Sequence, residues 1–187
     1  METGLIISSV LLWVVVLANL LLTLALVRRI NADPRSAQAA GLTKGAHAPD
    51  FTAQTLNGET VTRSTYVGRS VAFVFISTHC SPCRDLLPRL EPLGSQAAQA
   101  GTELVLVSAD ELEETRTFAV ELDTHLPILV APRTTNSFLS DYKSPGTPSY
   151  CLIDGLGKVQ LAGYPNMEHG EWKSLVDSWA EHNAPVV

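Results

Sequence analysis

Apolar residues along this chain fall into three patterns, and each predicts a different element. The first is a continuous run, Leu5 to Val27, in which 23 residues pass without a charge. As a helix it would extend about 34 Å, more than the roughly 30 Å hydrocarbon core of a bilayer. The run is too long for the apolar region of a cleaved signal peptide, and no basic residue precedes it. The small-residue triplet Ala37-Gln38-Ala39, which resembles a cleavage site, lies about ten residues beyond it. An uncleaved membrane anchor is expected over residues 1–29, with the span at about 5–27. Its orientation is in conflict. Arg28 and Arg29 follow the run and only Glu2 precedes it, which by the positive-inside rule leaves the C-terminal part in the cytoplasm.

The second pattern is short and β-branched. Val71 to Ile76, Thr102 to Ser108 and Leu126 to Val130 are apolar runs of the length and type that buried strands adopt. Phe51 to Thr55 predicts an earlier strand, and Asn57-Gly58 predicts a type I′ turn returning the chain over Glu59 to Thr62. Gly155-Leu156-Gly157 predicts a last antiparallel hairpin into Lys158 to Leu161. The third pattern has helical spacing: Leu86, Leu87 and Leu90 after Ser81, a charged segment from Glu111 to Leu122, and Trp172, Leu175, Val176 and Trp179 within Glu168 to Glu181. Asn136 to Tyr142 predicts a short helix. Pro88 should kink the helix that starts near Ser81, ending it around Glu91-Pro92 or continuing it as a second piece to Ala100. Alternation of strand and helix implies an α/β domain with a parallel core and right-handed crossovers. Residues 30–44 read as a linker, and the domain as 45–187.

Composition narrows the partners. Nineteen acidic against thirteen basic residues give a net charge of −6, with no basic stripe, which excludes a nucleic-acid surface. Three cysteines in 187 residues are too few for a disulfide-built fold.

Two of those cysteines carry the candidate chemistry. Cys80-Ser81-Pro82-Cys83 follows a predicted strand and opens a predicted helix, where Pro82 suits the first turn because its missing amide would have no partner there. Unpaired amides and the helix dipole stabilise a thiolate at that end. Cys80 is then an exposed, low-pKa nucleophile, and Cys83, one turn in, can close a disulfide with it. A zinc site would need two more ligands at matching spacing, and only Cys151 remains among the cysteines. A structural disulfide over so small a loop contributes little chain entropy. Redox chemistry is the expected function, with no cofactor and no metal. Cys151 lies in an apolar strand, as inert buried thiols do. His47 reads as a surface residue.

With the C-x-x-C and Gly146-Thr147-Pro148 both in view, the chain resembles the thioredoxin-like fold, a central mixed sheet flanked by helices. The anchor, the Ala48-Pro49-Asp50-Phe51 entry and the strand–CxxC–helix order resemble membrane-tethered thiol–disulfide oxidoreductases of the TlpA/ResA type. The anchor ending in Arg-Arg-Ile and the Cys-x-x-Cys-Arg-x-Leu-Leu-Pro run are similar to the MauD family of methylamine dehydrogenase accessory proteins. The resemblance implies a cis Thr147–Pro148 bond facing the cysteines, and a substrate groove lined by Thr147 and Pro148. It also implies protein substrates with thiols or disulfides, a membrane or extracytoplasmic redox partner, and a domain outside the cytoplasm in spite of Arg28-Arg29. A role in maturing an extracytoplasmic enzyme or cytochrome follows from the same likeness.

The chain departs from those families in three places. His79 stands where a tryptophan usually precedes the first cysteine, and Val74 and Leu86 stand where acids are found. Proton transfer at Cys83 must then come from water, His79 or another group. His79 either tunes the Cys80 thiolate or is a solvent-facing loop residue, and Ser81 and Pro82 help set the potential. Two alternatives remain. A peroxiredoxin-like antioxidant enzyme lacks its P-x-x-x-T-x-x-C pattern here. A copper-binding metallochaperone would use Cys80, Cys83 and a distant histidine such as His169.

Overall fold

The computed structural model describes residues 2–31 and 41–182, which fall into two units, Met1–Ala37 and Gln38–Val187. In the first unit helix α1 covers Glu2–Asn31. Its described side chains, Ile7 and those of residues 11–24, are all exposed. Among the described residues no helix is long and apolar enough to cross a membrane. The Ala37-Gln38-Ala39 triplet and most of the expected linker lie outside the described residues.

Among the described residues the second unit has seven strands: β1 (Thr52–Thr55), β2 (Thr60–Thr62), β3 (Ser70–Ile76), β4 (Thr102–Ser108), β5 (Ile128–Val130), β6 (Ser149–Ile153) and β7 (Val159–Gly163). Its helices are α2 (Ser81–Gln99), α3 (Leu112–Glu121), α4 (Phe138–Asp141) and α5 (Glu171–His182). Across the sheet the order is β2-β1-β5-β4-β3-β6-β7. Strands β3, β4 and β5 run parallel, as the alternation of strand and helix implies, while β1, β6 and β7 pair antiparallel. The sheet is therefore mixed.

Strand β3 sits inside the sheet, and its six apolar residues are buried because both faces are covered. Period-two alternation divides them. Val74 and Ile76 join Leu104, Leu106, Tyr150 and the apolar stripe of α2, together with Trp172 and Trp179 of α5. Phe73 and Phe75 face the other way, into an aromatic cluster with Phe51, Phe138 and Tyr142. Phe51 stacks on Phe138 with ring centroids 3.9 Å apart and meets Phe73 edge-on at 5.3 Å. The Ala-Pro-Asp-Phe entry thus plugs one side of the central strand.

One local expectation needs correction, and one open alternative is decided. The β1–β2 hairpin forms, but not through a type I′ turn. That turn needs positive φ at two residues, and only Gly58 has it (φ +83). The Gly58 N–H donates to the Thr55 carbonyl and the Thr55 N–H to the Glu59 carbonyl, so the loop has three residues with glycine at the left-handed position. Helix α2 does not end at Glu91-Pro92 and continues to Gln99 as one element, with Pro88 and Pro92 inside it. Both prolines are exposed and four residues apart, so the missing amides lie on the solvent side.

Candidate active site

Strand β3 ends at Ile76, and the chain turns through Ser77, Thr78 and His79 before α2 begins at Ser81. Cys80 is the N-cap of α2. Its backbone is extended (φ −94, ψ 106), and its sulfur accepts the Cys83 N–H at 3.3 Å. A sulfur in the N-cap position takes the place that an oxygen usually fills, and a thiolate there is favoured by the helix dipole. Cys80 and Cys83 form a disulfide, with Cα atoms 5.3 Å apart. Cys83 is fully buried, whereas Cys80 is half-buried rather than openly exposed. Part of that cover comes from the loop before β6. The Thr147 carbonyl oxygen lies 3.3 Å from Cys80 Sγ. The Thr147–Pro148 peptide is cis, as expected.

Thr147 and Pro148 are thus brought to the disulfide, and Ser81 and Pro82 are exposed at its rim. A groove of about 420 Å³ runs from Pro82 and Pro148 across Leu86 to Tyr164 and Met167, with Arg89 at its edge. Tyr164 and Met167 were not candidates from the sequence. They follow the last strand, and nothing in their spacing ties them to the cysteines.

The departures from the family pattern are visible in place. Val74 is fully buried and Leu86 nearly so, both packed in the same cluster as Cys83, so no carboxylate lies beneath the disulfide at either position. Tyr150 is also in this layer, and burial raises its phenol above the ordinary value, which keeps it protonated. His79 is exposed and its Nε2 lies 3.4 Å from a Glu114 carboxylate oxygen on α3. Thr78 is held from the same side, its N–H donating to Asp110 Oδ2 at 2.6 Å. His79, Asp110 and Glu114 are the group of possible ligand atoms found together among the described residues, and neither cysteine belongs to it. His169 instead pairs with Asn166. Neither Asp110 nor Glu114 was legible as a site residue, because each comes from a segment about 30 residues away.

Cys151 is buried at the centre of β6, opposite Phe73, in the aromatic cluster rather than the layer that holds Cys83. Burial pushes its thiol up to about 12. The sheet separates it from the redox pair. His47 is exposed, bridging Lys158 far along the chain.

Comparison with known proteins agrees with this geometry. A sequence profile described as the AhpC/TSA family matches residues 44–162. The thioredoxin-like protein YneN of Bacillus subtilis is 30% identical over 145 residues, covering 76% of this chain and 84% of that one. The methylamine utilization protein MauD of Methylophilus methylotrophus is 31% identical over 184 residues, covering 91% and 83%. The thiol-disulfide oxidoreductase ResA of Bacillus cereus is 28% identical over 116 residues, covering 62% and 66%. Among solved structures, a thiol:disulfide interchange protein from a Bacteroides species superimposes with a TM-score of 0.63 at 22% identity, over 78% of this chain and 93% of that one.

Proposed function

The chain belongs to the AhpC/TSA family and is a thiol–disulfide oxidoreductase of thioredoxin-like fold, and we propose that it passes a disulfide between the Cys80–Cys83 pair and protein partners from a membrane-tethered domain. One observation carries the assignment of the pair: a disulfide at a helix N-terminus, one sulfur half-buried and the other sealed, set against a cis-proline loop. In the reducing direction the Cys80 thiolate attacks one sulfur of a partner disulfide, the partner's other sulfur leaves as a thiolate, and a mixed disulfide forms. Cys83 then attacks Cys80 Sγ while its proton passes to the partner thiolate already released, the second partner sulfur leaves as a thiolate, and the Cys80–Cys83 disulfide closes. Two electrons have moved from the pair to the partner. The reverse sequence oxidises a dithiol. Backbone groups at Thr147 and Pro148 would pair with an extended partner segment, and Ser81, Pro82 and His79 would tune the pair.

Residues 1–29 would serve as the anchor, 30–44 as the linker and 45–187 as the catalytic domain. The uncharged run from Leu5 to Val27 and the exposed apolar side chains of α1 support this division. We place the domain outside the cytoplasm because protein disulfides persist there, with maturation of an extracytoplasmic enzyme or cytochrome as its use.

The test is trapping. Cys83→Ala should accumulate covalent complexes that dissolve on reduction, and Cys80→Ala should not. Equal trapping by both variants would reverse the assignment of attacker and resolver. If neither traps a partner and copper copurifies stoichiometrically from anaerobic preparations, the metallochaperone alternative replaces this reading. Peroxide consumption by the wild-type protein without a partner would do the same for the peroxiredoxin alternative.

A further inference from the structure

The loop that presents Cys80 makes its firmest side-chain contact with a residue outside the redox motif. Thr78 is buried, and its own hydroxyl has no partner among the described residues. What holds it is its backbone N–H, which donates to Asp110 Oδ2 at 2.6 Å, a bond across 32 residues of chain. Asp110 is itself fixed. Its N–H donates to Ser108 Oγ at 3.3 Å, and Ser108 Oγ is 2.7 Å from Thr115 Oγ1, both side chains fully buried. Thr115 Oγ1 donates in turn to the Glu111 carbonyl at 2.9 Å. The turn from β4 into α3 is thus pinned from inside the domain and reaches out through one carboxylate. On the far side of Thr78, the Cys80 N–H donates to the Ser77 carbonyl at 3.2 Å, and the sulfur of Cys80 accepts the Cys83 N–H.

We propose that Asp110 is a positioning residue for disulfide exchange. By accepting the Thr78 N–H it fixes the turn that aims Cys80 Sγ at an incoming sulfur. The proposal rests on the Cys80–Cys83 reading above. It assigns the effect to the acceptor's position, since the carboxylate oxygen is bonded to the backbone of the turn. Attack on a disulfide needs an in-line approach, so a turn free to move lowers the share of productive encounters.

The experiment uses the reduced full chain in detergent and follows the second-order loss of free thiols to oxidised glutathione, a disulfide that needs no partner surface. Asp110→Ala should slow the reaction by about tenfold, as small misplacements of a reacting group do. Asp110→Asn keeps an acceptor oxygen and loses the charge; it should stay within about twofold of wild type. Asp110→Glu keeps the charge and displaces the acceptor by a methylene, so it should be slowed like the alanine variant. Should the alanine variant fail to fold, the asparagine and glutamate variants decide alone. Glu121→Gln, which removes the surface pair with Arg84, should leave the rate unchanged. A wild-type rate in Asp110→Ala or Asp110→Glu, or an asparagine variant slowed with them, would overturn the proposal. A wild-type protein that does not react with glutathione disulfide at all would instead overturn the redox reading beneath it.

Discussion

Cys151 should be chemically silent in the folded protein, by a margin that the structure fixes. Its side chain is 1% exposed, and burial raises the thiol from 9.0 to about 12. The thiolate is the reactive form, so at neutral pH this shift alone lowers its population about a thousandfold. Steric closure lowers the rate further, because no alkylating reagent reaches β6 without opening of the sheet. The test is a short pulse of iodoacetamide on the reduced full chain, with peptides separated and weighed. Cys80 should be labelled within the pulse, and Cys151 only after denaturant is added. The sign of the linkage gives a second reading. A thiol raised in the folded state favours folding fully below 9.0, and that contribution is lost as pH rises through about 12. Cys151→Ala should therefore retain exchange activity and show a flatter loss of stability over that alkaline window. Labelling of Cys151 in native protein within about tenfold of the Cys80 rate would refute the burial argument.

Two further outcomes follow from other parts of the chain. A reporter fused after Val187 should be active only if its enzyme works outside the cytoplasm; activity of a cytoplasm-specific reporter would reverse the topology and favour a cytosolic reductase. Gly155→Ala should lower stability by about 1–3 kcal/mol, because a Cβ there would sit 2.8 Å from the Gly68 carbonyl carbon while the Gly68 N–H bonds the Gly155 carbonyl; an unchanged melting temperature would show that this turn can relax.

Much of the fold was legible because its strongest signals are local. The strand at Val71 to Ile76, the helix start at Ser81 and the parallel run of β3, β4 and β5 follow from apolar period and proline position. The hairpin turn was misread because Asn-Gly specifies a preference, while the register Thr52↔Thr62 sets how many residues the loop must hold. The unbroken α2 was not decidable from its prolines. Their effect depends on which side of the helix faces water, and that is a property of packing. Asp110 was invisible for a related reason. An acid after a strand is common, and its role here comes only from β3 and β4 lying side by side in parallel, with Ile76 opposite Ser108.

Register also decides which sulfur can take part. Strand β6 pairs with β3 so that Ser149 meets Phe75, Tyr150 meets Val74 and Cys151 meets Phe73. Directly paired residues share a face of the sheet, so Cys151 goes with Phe73 into the aromatic layer and Tyr150 goes with Val74 toward α2. A slip of one residue would place Cys151 on the α2 side, in the layer with Cys83, and would expose the aromatic layer to Tyr150. Pro148 stands immediately before this strand and the Thr147 carbonyl touches Cys80 Sγ. The position of that carbonyl at the disulfide and the removal of Cys151 to the far face are therefore one choice of register, held by aromatic packing on one side and the tryptophans of α5 on the other.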